Sequence, residues 1–554
     1  MVDLHIQLNT SFTYHTMNIQ FKTKSTLIAA IIVAIFWICT PPIMPAQMQN
    51  IKNNRFWDTV DRQPIFSQGG GIFRFIDPKS GTEKYFWYGV EYREAALYRN
   101  DPSVTQPKDF FLGVTCYTST DLVNWKSEGY VLTRENVVKH HEQTTWMGRM
   151  GVVFVPEIKK YAMFIQHVEQ LLILTSDSPT GPFEWHHRKN MEAITGTTNT
   201  GDQTVFTDYD AGKSYLIYSN GRGRNRIFIS EIGVVDGRVD LLDHTQIFRG
   251  AGREGNCMFK YKGRYYMFAS NLYGWDSSYA YYLVADDIRG PYLPENNMLI
   301  TPGSMDDYAH VTQTGFFVNV KGSKQETVVY CGDRWANFAG NGLGYNQWVP
   351  LSFDGKTPHF NSLDSWNLNA RTGEWEVAKN NNYAKNGSFE ADRKYIPAAE
   401  KPLQEQLKGW YSKVYQGNDI VIGSSDSPVL NFYNTQEDRK VVVGEKSLNI
   451  EDKVDFRRKV FQVVESTGFV KLPDGCYTLT AKIRNNAQFK LLEMYAESAG
   501  RTSTLKIESE NKTWTTISLK GVYVSNAKVE IGFHAIGNAG ASCQIDDVSF
   551  VREF

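Results

Sequence analysis

The sequence predicts an all-β chain, a five-bladed β-propeller followed by a jelly-roll β-sandwich. Three observations predict it. One aromatic-rich hairpin recurs five times along the first two-thirds of the chain, a second and plainer hairpin follows each copy, and after about Asn380 the repeat stops and alternating strands take over. Two hairpins make four strands, and four strands per repeat is the blade of a propeller.

The five copies stand in order. Ile72-Phe73-Arg74-Phe75 is answered by Tyr85-Phe86-Trp87-Tyr88, and Val152-Val153-Phe154-Val155 by Tyr161-Ala162-Met163-Phe164. Thr204-Val205-Phe206 is answered by Tyr215-Leu216-Ile217-Tyr218, Cys257-Met258-Phe259-Lys260 by Tyr265-Tyr266-Met267-Phe268, and Gly315-Phe316-Phe317-Val318 by Thr327-Val328-Val329-Tyr330. Gly, Asp and Lys occupy the turns between them, as short hairpins require. No helix-length amphipathic pattern interrupts the series. The expected organisation is a leader over 1–46, a propeller over 47–380 and a sandwich over 381–554.

The leader is read as an export signal. Lys22 and Lys24 precede an apolar run from Leu27 to Ile38, and Pro45-Ala46 offers a small residue for cleavage before Gln47, with Met17 as an alternative start. A run of about a dozen residues is short for a bilayer span, so a cleaved signal is favoured over an anchor. The expected location is secreted or periplasmic, or at the cell surface, with no membrane-spanning segment in the mature chain. Lys+Arg is 59 against Asp+Glu 60, a balance that points away from nucleic acid and acidic membranes as partners. Cys116, Cys257, Cys331, Cys476 and Cys543 would remain after cleavage, too few and too scattered for a disulfide framework. Cys476 and Cys543 could pair.

Propeller geometry locates the site. The first strand of each blade lines the central channel, and all five enter from one face, so the residues that open those strands converge. They are Gln68 with Gly69, Gly70 and Gly71, then Arg149, Asp202, Glu254 and Gln313. Two acids, an arginine and two amides around one axis exceed what a structural channel needs, and the glycines permit a close backbone approach. The chemistry that suits them is cleavage of a glycosidic bond, in which one carboxylic acid protonates the leaving oxygen while a second group assists water or attacks. Glu254 is the candidate acid, with Asp202 holding it in its working protonation state. Taken alone, either acid would be read as a turn residue or a surface charge; their equivalent places in adjacent blades decide for the site.

From about Ser67 to Trp375 the chain resembles glycoside hydrolase family 43, especially its exo-β-1,3-galactanase branch. The resemblance rests on Gln68-Gly69-Gly70-Gly71, Phe86-Trp87-Tyr88-Gly89, Ser176-Asp177-Ser178-Pro179-Thr180-Gly181-Pro182-Phe183, Asn199-Thr200-Gly201-Asp202-Gln203-Thr204-Val205-Phe206, Arg253-Glu254-Gly255-Asn256-Cys257-Met258-Phe259-Lys260, Gly274-Trp275 and Cys331-Gly332-Asp333-Arg334-Trp335. It implies that Asp202 modulates a pKa, that Glu254 is the general acid, and that Gln68, Gly70, Glu91, Arg149, Asn199, Trp275, Asp333, Arg334 and Trp335 form the substrate-binding set. The first-blade aspartate that serves as base in most of the family is absent. Thr312-Gln313-Thr314 resembles the branch's glutamine segment, which makes Gln313 the candidate to support the attacking water, and Glu91 its rival. A branch glutamate of the second blade aligns with Gly148, and the segment after Phe164 is shorter, so the sugar-reading subsite differs. No cofactor is required on this reading, although His310 leaves room for calcium at the axis.

In the C-terminal region Asn386-Gly387-Ser388-Phe389-Glu390, Gly409-Trp410 and Ile545-Asp546-Asp547-Val548-Ser549-Phe550 frame alternating strands such as Tyr477–Ile483 and Val529–Phe533. This resembles jelly-roll carbohydrate-binding modules, and a purely bracing sandwich is the equal alternative. The expected activity is exo-hydrolysis of β-1,3-galactan or arabinogalactan-type glycans, releasing galactose with inversion. An α-L-arabinofuranosidase or β-galactofuranosidase is the nearest rival, and a non-catalytic glycan-binding propeller the rival from another class.

Overall fold

The computed structural model describes residues 47–101, 103–104, 110–140, 146–273, 278–304, 312–336, 341–390, 407–424 and 426–554. The expected leader, His310 and Trp275 lie outside them. Met48–Phe554 forms one compact unit.

Among the described residues, five antiparallel sheets form the blades. Blade 1 is Gln68–Ile76, Glu83–Tyr92, Phe111–Ser119 and Lys126–Thr133. Blade 2 is Met150–Val155, Lys160–Ile165, Leu171–Ser176 and Glu184–Lys189. Blade 3 is Thr200–Asp208, Lys213–Asn220, Arg226–Val235 and Thr245–Arg249, with the short Arg238–Leu241 also pairing to its third strand. Blade 4 is Glu254–Tyr261, Arg264–Ser270, Tyr281–Ala285 and Leu299–Ile300. Blade 5 is Gln313–Lys321, Glu326–Ala336, Asn341–Asp354 and Thr357–Phe360. Each inner strand packs on the next and the fifth on the first, so the ring closes.

Closure does not share a blade between the two ends of the ring. Gln49–Lys52 pairs instead with Ser365–Leu368, which pairs with Trp375–Val377, in a separate three-stranded sheet. Tryptophans weld this junction: Trp87 lies 5.0 Å from Trp125 and 5.2 Å from Trp348, and Trp57 meets Trp348 edge-on at 5.0 Å. Such tilted pairs contribute about 0.5–1.5 kcal/mol each beyond the area they bury.

Four of the inner strands carry a register shift directly after their first residues, between Gln68 and Gly71, Thr200 and Gln203, Glu254 and Cys257, and Gln313 and Phe316. A bulge re-aims the side chains at its start. Glycine supports two of these turns, with Gly69 at φ 69° and Gly255 at φ 63°. The strands therefore begin earlier than the hairpin pattern suggests, and Asp202, Glu254 and Gln313 lie within them, next to the bulge, and not ahead of them.

The sequence showed no helix, yet Arg93–Asn100 forms one between the second and third strands of blade 1, burying Glu94, Ala95 and Tyr98. At eight residues it is too short to print a helical period.

The sandwich stacks two five-stranded antiparallel sheets. One runs Tyr411–Gln416, Phe456–Glu465, Lys528–Gly537, Phe489–Ser498 and Arg501–Lys506 across its width; the other runs Val429–Tyr433, Lys446–Glu451, Ser542–Arg552, Gly475–Asn485 and Asn511–Val524. Alternate residues point inward, giving a core around Trp410, Phe533 and the stacked Tyr477 and Phe550, whose rings are 4.6 Å apart. The pairing considered for Cys476 and Cys543 does not form, and both thiols are free. Cys543 pairs with Asn485, at the far end of the strand that begins beside Cys476, which puts the two about 30 Å apart at strand rise.

Candidate active site

Arg149 is the centre of the site. It directly precedes the inner strand of blade 2, is only 4% exposed, and its guanidinium reaches three side chains on blades 3 and 5. Nε donates to Asp202 at 2.9 Å, Nη1 to Asp333 at 2.6 Å and Nη2 to the Gln313 carbonyl at 2.7 Å. Burial works against its charge, but the Asp333 and Asp202 carboxylates more than offset this and keep it protonated.

Asp202 is saturated with donors. Besides Arg149 it accepts from Gly255 N at 2.8 Å and Gln166 Nε2 at 3.2 Å, and pairs with Arg224 at 3.0 Å. Burial opposes its ionisation, yet the Arg224 and Arg149 guanidiniums hold its carboxyl well below the usual carboxylate range. Glu254, at the start of blade 4, goes the other way. Burial and then the Asp202 charge push it up to about 7, against the weaker pull of Arg224, Arg149 and Gln313. Its Oε2 pairs with Arg224, while Oε1 is buried without a hydrogen bond. Two neighbouring carboxyl groups thus hold opposite protonation states near neutrality, an arrangement that supplies a proton donor.

The other candidates fall into three groups. Gln68 and Asp333 belong to the frame: Gln68 Nε2 donates to the Arg334 carbonyl, and Asp333, fully buried, accepts from Arg149, from Gly69 N at 3.0 Å and from Asn346 at 2.9 Å. Both Asp333 oxygens are used, so it braces the axis and leaves no oxygen for a sugar. Gly70 is also structural. A Cβ there would lie 1.8 Å from the Tyr88 carbonyl, so the close approach is to its own hairpin partner.

A second group turns away from the axis. Glu91 accepts from Tyr130 at 2.9 Å, on the outermost strand of blade 1, and burial raises its pKa. Asn199 donates to the Val168 carbonyl at 2.9 Å, linking the loop before blade 3 to blade 2. Arg334 sends its guanidinium to Glu390 of the sandwich at 3.2 Å. The third group is Trp275 and the Trp335 side chain, which lie outside the described residues.

Gln313 stands beside Glu254, close enough to favour its ionised form slightly, and not across the axis from it. Its carbonyl oxygen accepts from a guanidinium. That contact disfavours the imidic tautomer, which would put a hydroxyl hydrogen toward the Arg149 N–H.

Two residues escaped the sequence reading. Arg224, in the turn Gly221-Arg222-Gly223-Arg224-Asn225, bridges Asp202 and Glu254, and Gln166 ends the second strand of blade 2 with its carbonyl on Arg149 N at 3.1 Å. Both come from the loop joining second and third strands, which opens on the same face as the inner-strand starts. Several arginines in one such loop were the available signal for Arg224.

His310, on which the calcium expectation rests, lies outside the described residues. The Arg149 guanidinium sits where a cation would, between Asp202 and Asp333, and among the described residues no group of three or more His, Cys, Asp or Glu could hold a metal.

A closed five-bladed ring with a buried acid pair at its axis suits glycoside hydrolysis. Residues 98–346 match the profile of Glycosyl hydrolases family 43. The exo-β-1,3-galactanase from Clostridium thermocellum superposes with a TM-score of 0.50 at 17% identity, over 91% of this chain and 100% of that one. The exo-β-1,3-galactanase from Phanerochaete chrysosporium gives a TM-score of 0.49 at 17% identity, over 90% and 99%. No curated protein matches in sequence.

Proposed function

We propose that the protein is an exported exo-hydrolase that releases galactose from β-1,3-galactan or arabinogalactan-type glycans with inversion. Glu254 protonates the leaving oxygen through Oε1, Asp202 keeps it protonated, and Gln313, held by Arg149 beside the acid, orients it. The observation that carries this reading is the opposed protonation of Asp202 and Glu254. The state of the remaining acids supports inversion. Asp202 and Asp333 are each held by three or more donors, so neither is free to attack carbon and form a glycosyl-enzyme, which leaves direct attack by water. The reaction so written calls for no cofactor. The choice of galactan is supported by the sequence resemblance and by the activity for which the two superposed enzymes are named.

One observation favours a neighbouring specificity. A Cβ on Gly148 would lie 2.5 Å from the Trp146 ring and 2.6 Å from Gln166 Oε1, so no longer side chain fits there without displacing them. A site that reads its sugar without that side chain suits an α-L-arabinofuranosidase or β-galactofuranosidase as well. Digestion of β-1,3-galactan beside a panel of aryl glycosides decides. Galactose from the polymer supports the first reading, furanosidase activity alone supports the second, and no turnover of any glycoside would leave a propeller that only binds.

A further inference from the structure

The sandwich reaches the propeller on the face that carries the site. Lys408 donates to the Tyr279 hydroxyl at 3.1 Å in the loop before the third strand of blade 4. Arg439 donates to the Ser103 carbonyl at 3.4 Å in the corresponding loop of blade 1. Glu390 takes the Arg334 guanidinium near the end of the second strand of blade 5. These three segments open on the same face as Glu254, by the alternation of strand directions within a blade. A second contact, His359 against Phe469 with rings 5.0 Å apart, seats the sandwich on the flank of blade 5.

The third contact differs from the others. Glu390 and Arg334 are both more than nine-tenths buried, and the other Glu390 oxygen accepts from Lys446 N at 2.6 Å. Gly444 lies against the same carboxylate, where a Cβ would be 2.5 Å from its carbon. The sandwich thus holds this carboxylate in one place. Arg334, on the propeller side, is one residue from the axis. Its carbonyl receives the Gln68 amide, and its neighbour Asp333 holds Gly69 N, Asn346 and the guanidinium of Arg149. Arg149 in turn holds Asp202 and Gln313.

We infer that Glu390 is a positioning residue for the propeller's active site, so that the sandwich is a working part of the catalytic unit in addition to any hold it has on glycan. The inference rests on the site described above. Adjoining domains that touch through wet, polar surfaces move relative to one another by default. A buried ion pair with fixed partners does not permit that without uncovering an unpaired charge. The line from Glu390 through Arg334 and Asp333 to Arg149 therefore fixes the strand that feeds the axis.

The test uses the full chain and the aryl glycoside that the wild type cleaves fastest, a substrate too small to span both domains. Glu390→Gln keeps the side-chain shape and removes the charge facing Arg334. With folding verified by a single cooperative melt, kcat should fall by about 10- to 100-fold, the scale of a small misplacement of catalytic groups, while KM changes little. Arg334→Gln should do the same, and the double variant should lose no more than either single one, since both act through one pair. Lys408→Met, which cuts a different interface contact and leaves the Glu390–Arg334 pair intact, should keep the wild-type kcat. Wild-type kcat in Glu390→Gln overturns the inference, as does a loss confined to KM on polymeric substrate. Should Glu390→Gln not fold, Arg334→Lys, which keeps the charge but not the fork, carries the same two outcomes. A wild type inactive on every glycoside would overturn the reading of the site and this inference together; an active wild type with an active Glu390→Gln overturns this one alone.

Discussion

Replacing Asp202 with Asn should move the alkaline limb of the pH–rate profile downward. Glu254 stands at about 7 against an ordinary 4.5. The difference corresponds to about 3 kcal/mol in favour of the protonated form, at about 1.4 kcal/mol per pH unit. Burial is the larger contributor and the Asp202 charge the next, and a like charge at this range is worth on the order of 1 kcal/mol. Its removal also leaves Arg149 and Arg224 less balanced, and both favour ionised Glu254. The two effects have the same sign. The limb should therefore fall by at least about one pH unit, toward about 6. At pH 7 the share of enzyme with a protonated acid would drop from about a half to about a tenth. The assay is kcat/KM against pH on a glycoside with a poor leaving group, which reports the free enzyme. A uniform loss at all pH values with the limb unmoved would refute the tuning role and leave Asp202 a packing residue.

Glu254→Gln should cost about 10²-fold or more on natural glycosides and far less on substrates whose leaving group needs no proton; equal losses on both would remove it as the acid. Gln313→Ala should lower kcat while Glu91→Gln, whose carboxylate is engaged by Tyr130, changes turnover little; the reverse pattern would hand the water to Glu91. Proton NMR of the first product formed should show the anomer opposite to that of the bond cleaved, and retention would require one of the two braced aspartates to let go of its donors. Thermal stability should decline as pH rises above the ordinary carboxylate range, because burial raises Asp546 well above its ordinary value: the unfolded chain releases this proton first, while the folded chain holds it. Asp546→Asn should flatten that slope, and an unchanged slope in that variant would refute the assignment.

The ring of blades was legible because propeller strands repeat, and a repeat reveals its period even when each strand is short. The positions of Asp202 and Glu254 followed from equivalence between blades, which needs only strand order and direction. What stayed hidden was contact between residues far apart in sequence. Asp333 reads as a motif residue, yet its oxygens are consumed by Arg149, Gly69 and Asn346. Gly70 reads as an opening toward a ligand, and the space belongs to the Tyr88 carbonyl. Glu91 lies on the second strand of blade 1, but Tyr130 two strands further out draws it aside. Arg224 reads as one arginine among several in a polar turn, and only the closed ring brings it onto both acids. The eight-residue helix after Tyr92 fell below the length at which a period can be detected.

The charge balance at the axis explains why these contacts matter together. Arg149 and Arg224 bring two positive charges, and Asp202 and Asp333 two negative ones, all buried or nearly so. The four cancel without Glu254, which therefore finds no surplus cation to hold it ionised, although Arg224 touches its Oε2. An added calcium would upset the balance and pull Glu254 toward the carboxylate form, which cannot donate a proton. Neutralising either arginine would do the opposite and raise Glu254 further, and neutralising Arg149 would leave Asp333 without its cation in low dielectric. The site thus needs two guanidiniums and two braced carboxylates so that the fifth charged group can be an acid, and the propeller supplies them from blades 2, 3 and 5 around the acid of blade 4.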